Sequence, residues 1–387
     1  MLASALLAAT VTGCSTADAE QAPETGAGWR QLPDPPLGPR DDAVLVGLGD
    51  RVLVVGGEEF SCPPNADCTA PQEPLFDDGA VYDSATDAWR ATAPPPFGLR
   101  RGRGVTAALD GTAYLVTTCA DGPACEAPPR LLSYRPDDDR WTDHGPVPGP
   151  QPLPRRVTTV GGSLLVYSTG DTLVEAADLL FDPETSAWTE LPDDPLPMTD
   201  DRFMVPVEGH LVLAASPSAV LPPDTGSADP AARSDRTPAA RFDLDRGEWA
   251  VLPDAPGQGH QLLPTDRGPL LDGHYSGASG WLLDTGTWTW SALPVHDLEY
   301  DDINGVLDRD RAVYDIHSLA FTRLLVYDSV TDAYVTFPSP PGREDVYGDS
   351  STALGRDLVV VGGQRSGTAP GDDDPAADAW LWIAPAG

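Results

Sequence analysis

Nine ionisable residues stand where short strand-like segments begin: Arg101, Arg103, Arg155, Arg156, Arg202, His260, Asp301, Asp302 and Asp349. A guanidinium makes two parallel hydrogen bonds to a carboxylate, and an ionised Asp accepts from hydroxyl groups. The mixture therefore suits a carbohydrate or a small carboxylated ligand. Asp41, Asp42, Arg100 and Asp201 extend the set. The plainer alternative is that these side chains solvate strand ends and bridge neighbouring segments. Nothing for covalent or acid/base chemistry accompanies them. The histidines His144, His210, His260, His274, His296 and His317 lack metal-ligand spacing, and there is neither a Gly-x-Ser-x-Gly elbow nor a phosphate loop. No cofactor or metal is expected, and Asp372, Asp373 and Asp374 are read as an acidic loop rather than a Ca²⁺ site.

The elements that must position these residues repeat. A residue that is usually Asp stands six positions before an aromatic at Asp83/Trp89, Arg135/Trp141, Asp182/Trp188, Asp243/Trp249, Asp284/Trp290 and Asp328/Tyr334. Their first members are 52, 47, 61, 41 and 44 residues apart, a range that indicates propellers and other repeat architectures. Ahead of each aromatic lie apolar runs such as Gly79 to Tyr82 and, further upstream, Val52 to Val55. Each unit thus reads as four short strands that cannot bury a face alone and must stack on the next unit. Leu-Pro recurs after the aromatic, as in Leu191-Pro192 and Leu252-Pro253, where Pro ends an outermost strand. Trp29 with Leu32-Pro33 resembles a fourth strand without its first three, while Leu358 to Gly363 and Ala379 to Ile383 supply strands without a fourth. Joining the termini would complete a seventh unit.

In Gly56-Gly57 and Gly362-Gly363 ending a strand, and in the Tyr-Asp-to-Trp spacing downstream, residues 28 to 383 resemble the kelch-type β-propellers. The resemblance implies an all-β, seven-bladed kelch-type β-propeller closed by pairing of N- and C-terminal strands. It implies no single function, since such propellers serve as enzymes, scaffolds and ligand binders. On that fold the innermost strands line a channel, and the nine ionisable residues would ring its mouth.

Leu2 to Gly13 is an apolar run too short to span a bilayer and is followed at once by Cys14. It looks like a bacterial lipoprotein signal, although no Lys or Arg precedes the run. The resemblance implies cleavage before Cys14, lipid on that thiol, and an extracytoplasmic protein anchored to the membrane only through its lipid. Residues 1–13 are then the signal, 14–27 a flexible tether and 28–387 the propeller. In an exported chain the similarly spaced pairs Cys62/Cys68 and Cys119/Cys125 suggest disulfides, a four-thiolate metal site being the alternative.

The charge bounds the partners. Sixty acidic residues against 24 basic ones, all Arg, give a net charge of -36, which repels nucleic acid and anionic headgroups. The expectation is a monomeric, non-catalytic binding module for a glycan, a cell-envelope component or an envelope protein. A spacer in an envelope assembly is a structural variant of that expectation. The alternative is a carbohydrate-active enzyme on the same scaffold: a sugar epimerase, a sialidase-like hydrolase or a copper radical oxidase.

Overall fold

A computed structural model describes residues 28–58, 75–99, 105–117, 128–149, 155–168, 177–196, 201–216, 236–259, 261–273, 279–295, 302–308, 311–318, 321–343, 346–347, 349–365 and 374–384. These residues form an all-β, propeller-like array of four-stranded antiparallel sheets. After β1 (Gly28–Gln31), the first sheet runs β2 (Val44–Gly47), β3 (Arg51–Val55), β4 (Gly79–Asp83) and β5 (Ala88–Ala91). The second comprises β6 (Thr106–Leu109), β7 (Thr112–Val116), β8 (Arg130–Arg135) and β9 (Arg140–Pro146). The third comprises β10 (Arg155–Val160), β11 (Ser163–Ser168), β12 (Leu179–Asp182) and β13 (Ala187–Glu190). The fourth comprises β14 (Asp201–Val207), β15 (His210–Ser216), β16 (Thr237–Asp243) and β17 (Glu248–Ala255). The fifth comprises β18 (Leu262–Thr265), β19 (Gly268–Leu271), β20 (Trp281–Asp284) and β21 (Thr289–Ala292), and the sixth β22 (Asp302–Asp308), β23 (Arg311–Ser318), β24 (Phe321–Asp328) and β25 (Ala333–Phe337). The remaining strands are β26 (Val346–Tyr347), β27 (Ser350–Leu354), β28 (Asp357–Val361), β29 (Gln364–Arg365), β30 (Asp374–Pro375) and β31 (Ala379–Ile383). Of these, β27, β28 and β31 join β1 in a seventh sheet, where Trp29 lies opposite Trp382, and the other three form a small sheet of their own.

Stacking explains why the strands are apolar on both faces. Side chains alternate along β3, so Val52 and Val54 pack with Leu354, Val359, Val361 and Leu381 of the seventh sheet. Leu53 and Val55 point the other way, onto Ala113, Leu115 and Leu132 of the second. The same division recurs between later sheets, ending with Val326 of the sixth against Leu358, Val360 and Trp382 of the seventh. The first strands are neighbours in turn: β2 with β6, β6 with β10, β10 with β14, β14 with β18, β18 with β22, β22 with β27, and β27 with β2.

The repeated aromatics face each other across the third and fourth strands. Tyr82 lies opposite Trp89, Tyr134 opposite Trp141, Phe181 opposite Trp188 and Phe242 opposite Trp249, with ring centroids 5.2, 4.9, 4.7 and 5.1 Å apart. The preceding Asp caps its own turn as the sequence suggests. Asp182 Oδ1, for example, accepts from the backbone N–H groups of Glu184 and Thr185 at 2.8 and 3.3 Å. The Leu-Pro element has a second role that the spacing did not disclose. The Trp89 indole N–H donates to Pro33 O at 2.8 Å, Trp249 to Pro192 O at 2.8 Å and Trp290 to Pro253 O at 2.9 Å. Each bond ties one sheet to a proline carbonyl in or just past the outer strand of the preceding sheet.

Candidate functional site

In an antiparallel meander, the starts of the first and third strands and the ends of the second and fourth share one end of the sheet. The two ends here differ in kind. At one, the turns between third and fourth strands are uniform, spanning 84–87, 136–139, 183–186, 244–247, 285–288 and 329–332. At the other, the connections between second and third strands are diverse, spanning 56–78, 117–129, 169–178, 217–236, 272–280, 319–320 and 362–378. Of the nine expected site residues, the five described ones, Arg155, Arg156, Arg202, Asp302 and Asp349, belong to this variable end.

The structure describes five of the nine at least in part. Arg155 opens β10 and is 1% exposed; its Nη1 donates to Ala177 O at 2.9 Å and its Nη2 to Pro148 O at 3.4 Å. Arg202, 5% exposed, holds Asp194 through Nη2 at 2.6 Å and Asp178 at 3.6 Å. The half-buried Arg156 lies opposite Tyr167, with its guanidinium 4.4 Å from the Phe203 ring centre. Asp349 lies 3.5 Å from Nη2 of the buried Arg343. Asp302 begins β22, opposite Asp315. Arg101, Arg103, His260, Asp301, Cys14, Cys62, Cys68, Cys119 and Cys125 lie outside the described residues. Of the acidic loop, Asp374 belongs to the short strand β30, and Asp372 and Asp373 lie outside the described residues.

The third and fourth sheets thus bring together Arg155, Arg156 and Arg202 with Asp178 and Asp194. Burial pushes the Asp178 carboxyl up to about 6, against the opposing pull of Arg202 and of the Ser168 N–H it accepts from; the Asp194 charge adds to the rise. Burial also lowers the affinity of Arg155 for its proton. The Nε atoms of Arg155 and Arg156 are buried without a hydrogen-bond partner.

Parts of this cluster recur elsewhere. Arg40, 4% exposed, grips both carboxylate oxygens of Asp78 at 2.7 and 3.1 Å, donates to Gly56 O at 2.9 Å and lies 4.8 Å from the Phe76 ring centre. Arg343 binds Asp378 at 2.7 Å and also donates to Gly362 O. Asp78, Asp178 and Asp378 each immediately precede the third strand of their sheet; Arg40 and Arg343 approach from the chain leading into the first strand of the same sheet, whereas Asp178 meets Arg202 of β14 in the next sheet, and Arg155, which opens β10, bonds the neighbouring Ala177 carbonyl. The recurrence in the first and seventh sheets makes the Arg–Asp pair a latch between those two segments, and their own burial and partners place Arg155 and Arg202 chiefly in the architecture as well. Sequence reading missed Arg40, Asp78, Asp178, Asp194, Arg343 and Asp378. The available signal was the Asp before the third strand, together with an Arg shortly after Gly-Pro or Gly.

Other chemistry is thin among the described residues. Ser133 Oγ and His144 Nε2 are 2.9 Å apart, but Ser133 is buried and the neighbouring Asp143 is bound to Arg130 at 2.7 Å. Burial between Tyr114 and Phe181 also holds the His144 imidazole below its usual proton affinity. No group of three or more His, Cys, Asp or Glu suited to a metal occurs among the described residues. No protein-family model matches the chain, and no curated protein matches it.

Proposed function

We propose that this chain is a surface-anchored, kelch-like propeller lipoprotein whose variable end binds a glycan, a cell-envelope component or a protein without catalysis. On this reading the seven four-stranded sheets are the blades of a closed propeller. Neighbour relations among the first strands, from β2 through β27 and back to β2, support that closure. The lipid anchor at Cys14, the two disulfides and the extracytoplasmic location belong to the same proposal and rest on the sequence.

The observation that carries the binding role is the contrast between the two ends. Uniform four-residue turns at one end are what a repeat needs for folding, whereas diverse connections at the other exceed that need. Connections of that kind, held on a rigid scaffold, are where recognition residues concentrate. The acidic surface disfavours polyanions, and the half-buried Arg156 offers a local positive charge suited to a carboxylated sugar or an acidic protein segment.

The rival reading, a sugar-processing enzyme, draws on Asp178, whose raised proton affinity resembles that of a general acid. Its surroundings are latch partners rather than an open cleft, so the non-catalytic reading is preferred. The test replaces residues 217–235 with a short Gly-Ser linker and assays binding to purified envelope fractions and a glycan panel. The expected result is lost binding at an unchanged unfolding midpoint. Undiminished binding by this variant and by Arg156→Gln would remove the variable end from the account, and turnover of a panel sugar would favour the enzyme.

A further inference from the structure

In four sheets the residue three places after the repeated outer aromatic is a buried leucine: Leu32, Leu191, Leu252 and Leu293. The same count from Trp141 reaches His144. The hairpin of β8 and β9 runs on past that point, with a register shift between Arg130 and Leu132, and Val147 takes the leucine's place. The Val147 N–H donates to Pro129 O at 2.8 Å, as those of Leu191 and Leu293 donate to Asp178 O and Gly280 O. A bulge of this kind re-aims a side chain. Gly145 makes the bend with φ of 90°, its N–H donating to Asp143 Oδ1 at 2.8 Å.

The side chain so aimed is His144, and it fills a slot between the second and third sheets. Its ring centre lies 6.2 Å from that of Tyr114 on β7 and 5.1 Å, edge to face, from that of Phe181 on β12. Its Nε2 is 2.9 Å from Oγ of the buried Ser133 on β8. Among the described residues its ionisable neighbours are few. Asp143 is adjacent on β9 and is itself gripped by Nε and Nη2 of Arg130 on β8 at 3.0 and 2.7 Å. Burial holds the Tyr114 phenol above its usual range, so β7 presents a neutral ring, and β12 presents the ring of Phe181.

Beyond His144 the chain becomes the cover of a buried cation. Arg155, 1% exposed, donates from Nη2 to Pro148 O at 3.4 Å, and a Cβ on Gly149 would stand 2.9 Å from the same nitrogen. Pro148 and Gly149 are themselves exposed, so this short strap separates Arg155 from solvent on that side. Val147, packed in the core between the second and third sheets, and His144 fasten it.

We propose that His144 is an acid-released pin for this strap: the neutral imidazole holds the end of β9 in the slot between the two sheets, and the imidazolium leaves the slot and frees residues 144–149 from over Arg155. An imidazolium kept in the slot would hold its charge between two rings and away from water. Burial already keeps the proton affinity of the ring down against the pull of Asp143. The native state therefore favours the neutral form. The stability that form contributes is complete above the free value of 6.5 and is lost as pH falls below it. The device is independent of what the variable end binds.

The experiment follows backbone hydrogen exchange of the full-length chain by mass spectrometry at about pH 7.5 and about pH 4.5, corrected for the intrinsic pH dependence of exchange. Amides of residues 144–149 should lose protection tenfold or more in acid, while those of β3 stay unchanged. His144→Gln keeps a hydrogen-bonding group for Ser133 but cannot ionise, so its protection should be the same at both pH values. Asp178 titrates at about 6, inside the same range, so Asp178→Asn is the control and should retain the loss. Magnetic-resonance titration of the His144 ring in the unsubstituted chain should give a midpoint below 6.5 that coincides with the loss of protection, a readout that does not depend on how the variants fold. The proposal is overturned if the unsubstituted chain keeps its protection in acid, if His144→Gln loses it equally, if Asp178→Asn abolishes the loss, or if the ring titrates apart from it.

Discussion

The Trp29 indole N–H donates to the carbonyl of Pro338 at 2.7 Å across 309 positions of sequence. The bond repeats the tie that Trp89, Trp249 and Trp290 make to Pro33, Pro192 and Pro253, so the sheet assembled from both termini is fastened to its predecessor as an internal sheet is. Trp89 binding Pro33 fastens the first sheet to that same terminal sheet. The N-terminal strand therefore carries load in both directions.

Trp29→Phe keeps the ring and deletes the donor, so it should cost about 0.5–1.5 kcal/mol of unfolding free energy, toward the lower figure because water competes at an exposed bond. Trp249→Phe removes the corresponding tie inside the chain and should cost a similar amount. Urea unfolding of the two variants gives the comparison. A terminal variant with no effect beside a destabilised internal one would show that β1 bears no load.

Asp178 sets a pH dependence opposite in sign to that of the capping aspartates. Its carboxyl titrates near 6 when folded and near 3.8 when free, so the native state holds the extra proton between those values. Stability from this group is therefore full below pH 4 and is lost as pH rises through 6, by about 3 kcal/mol at 1.36 kcal/mol per pH unit. Asp182, Asp243 and Asp284, lowered chiefly by hydrogen bonds from their own turns, contribute stability that is lost as pH falls through their depressed values. Asp178→Asn isolates the first effect. The difference in unfolding free energy between variant and parent should move in the variant's favour from pH 4 to pH 7, and a difference flat across that window would refute the assignment.

Gly56 turns out of β3 with φ of 68°, and a Cβ there would lie 2.1 Å from the backbone oxygen of Leu99. Gly56→Ala should therefore cost more than the 1–3 kcal/mol of a left-handed non-glycine residue alone, since backbone rather than a side chain must yield. Differential scanning calorimetry would register a lower midpoint. An unchanged midpoint would mean that the connection into the second sheet can shift freely.

What could be read in advance follows from what repeats. Asp83 and Trp89 mark their turn because the local chain alone demands a cap and a cross-strand ring pair, and six copies make the signal hard to miss. Tyr82 shows where such reading stops. Its hydroxyl donates to Asp87 at 2.7 Å and accepts from Arg30 at 3.1 Å, and Arg30 belongs to the seventh sheet. Nothing local to Tyr82 specifies that partner. The same holds for Arg155 and Arg202: their type and place suggested a ligand, but whether a guanidinium faces solvent or a neighbouring carboxylate depends on how adjacent sheets stack. Asp178 carried only the mark of an Asp before its third strand, which is common, and its burial is a tertiary property.

Arg202 and Arg156 separate the architectural and recognition roles of the cluster. Arg202 neutralises two carboxylates at 2.6 and 3.6 Å and is itself nearly inaccessible, so Arg202→Ala leaves Asp194 and Asp178 near each other without this cation. Removing one partner of a buried ion pair costs about 3–5 kcal/mol, and the loss should grow above pH 6, where Asp178 ionises. Reduced ligand binding in that variant would therefore report unfolding as readily as recognition. Arg156 is half-buried and stacks on Phe203 without a carboxylate ion pair among the described residues. Arg156→Gln should cost only about 0.5–1 kcal/mol. Weakened binding at a nearly unchanged midpoint in Arg156→Gln assigns this guanidinium to recognition. Equal binding with a midpoint lowered as far as that of Arg202→Ala would make it a second latch.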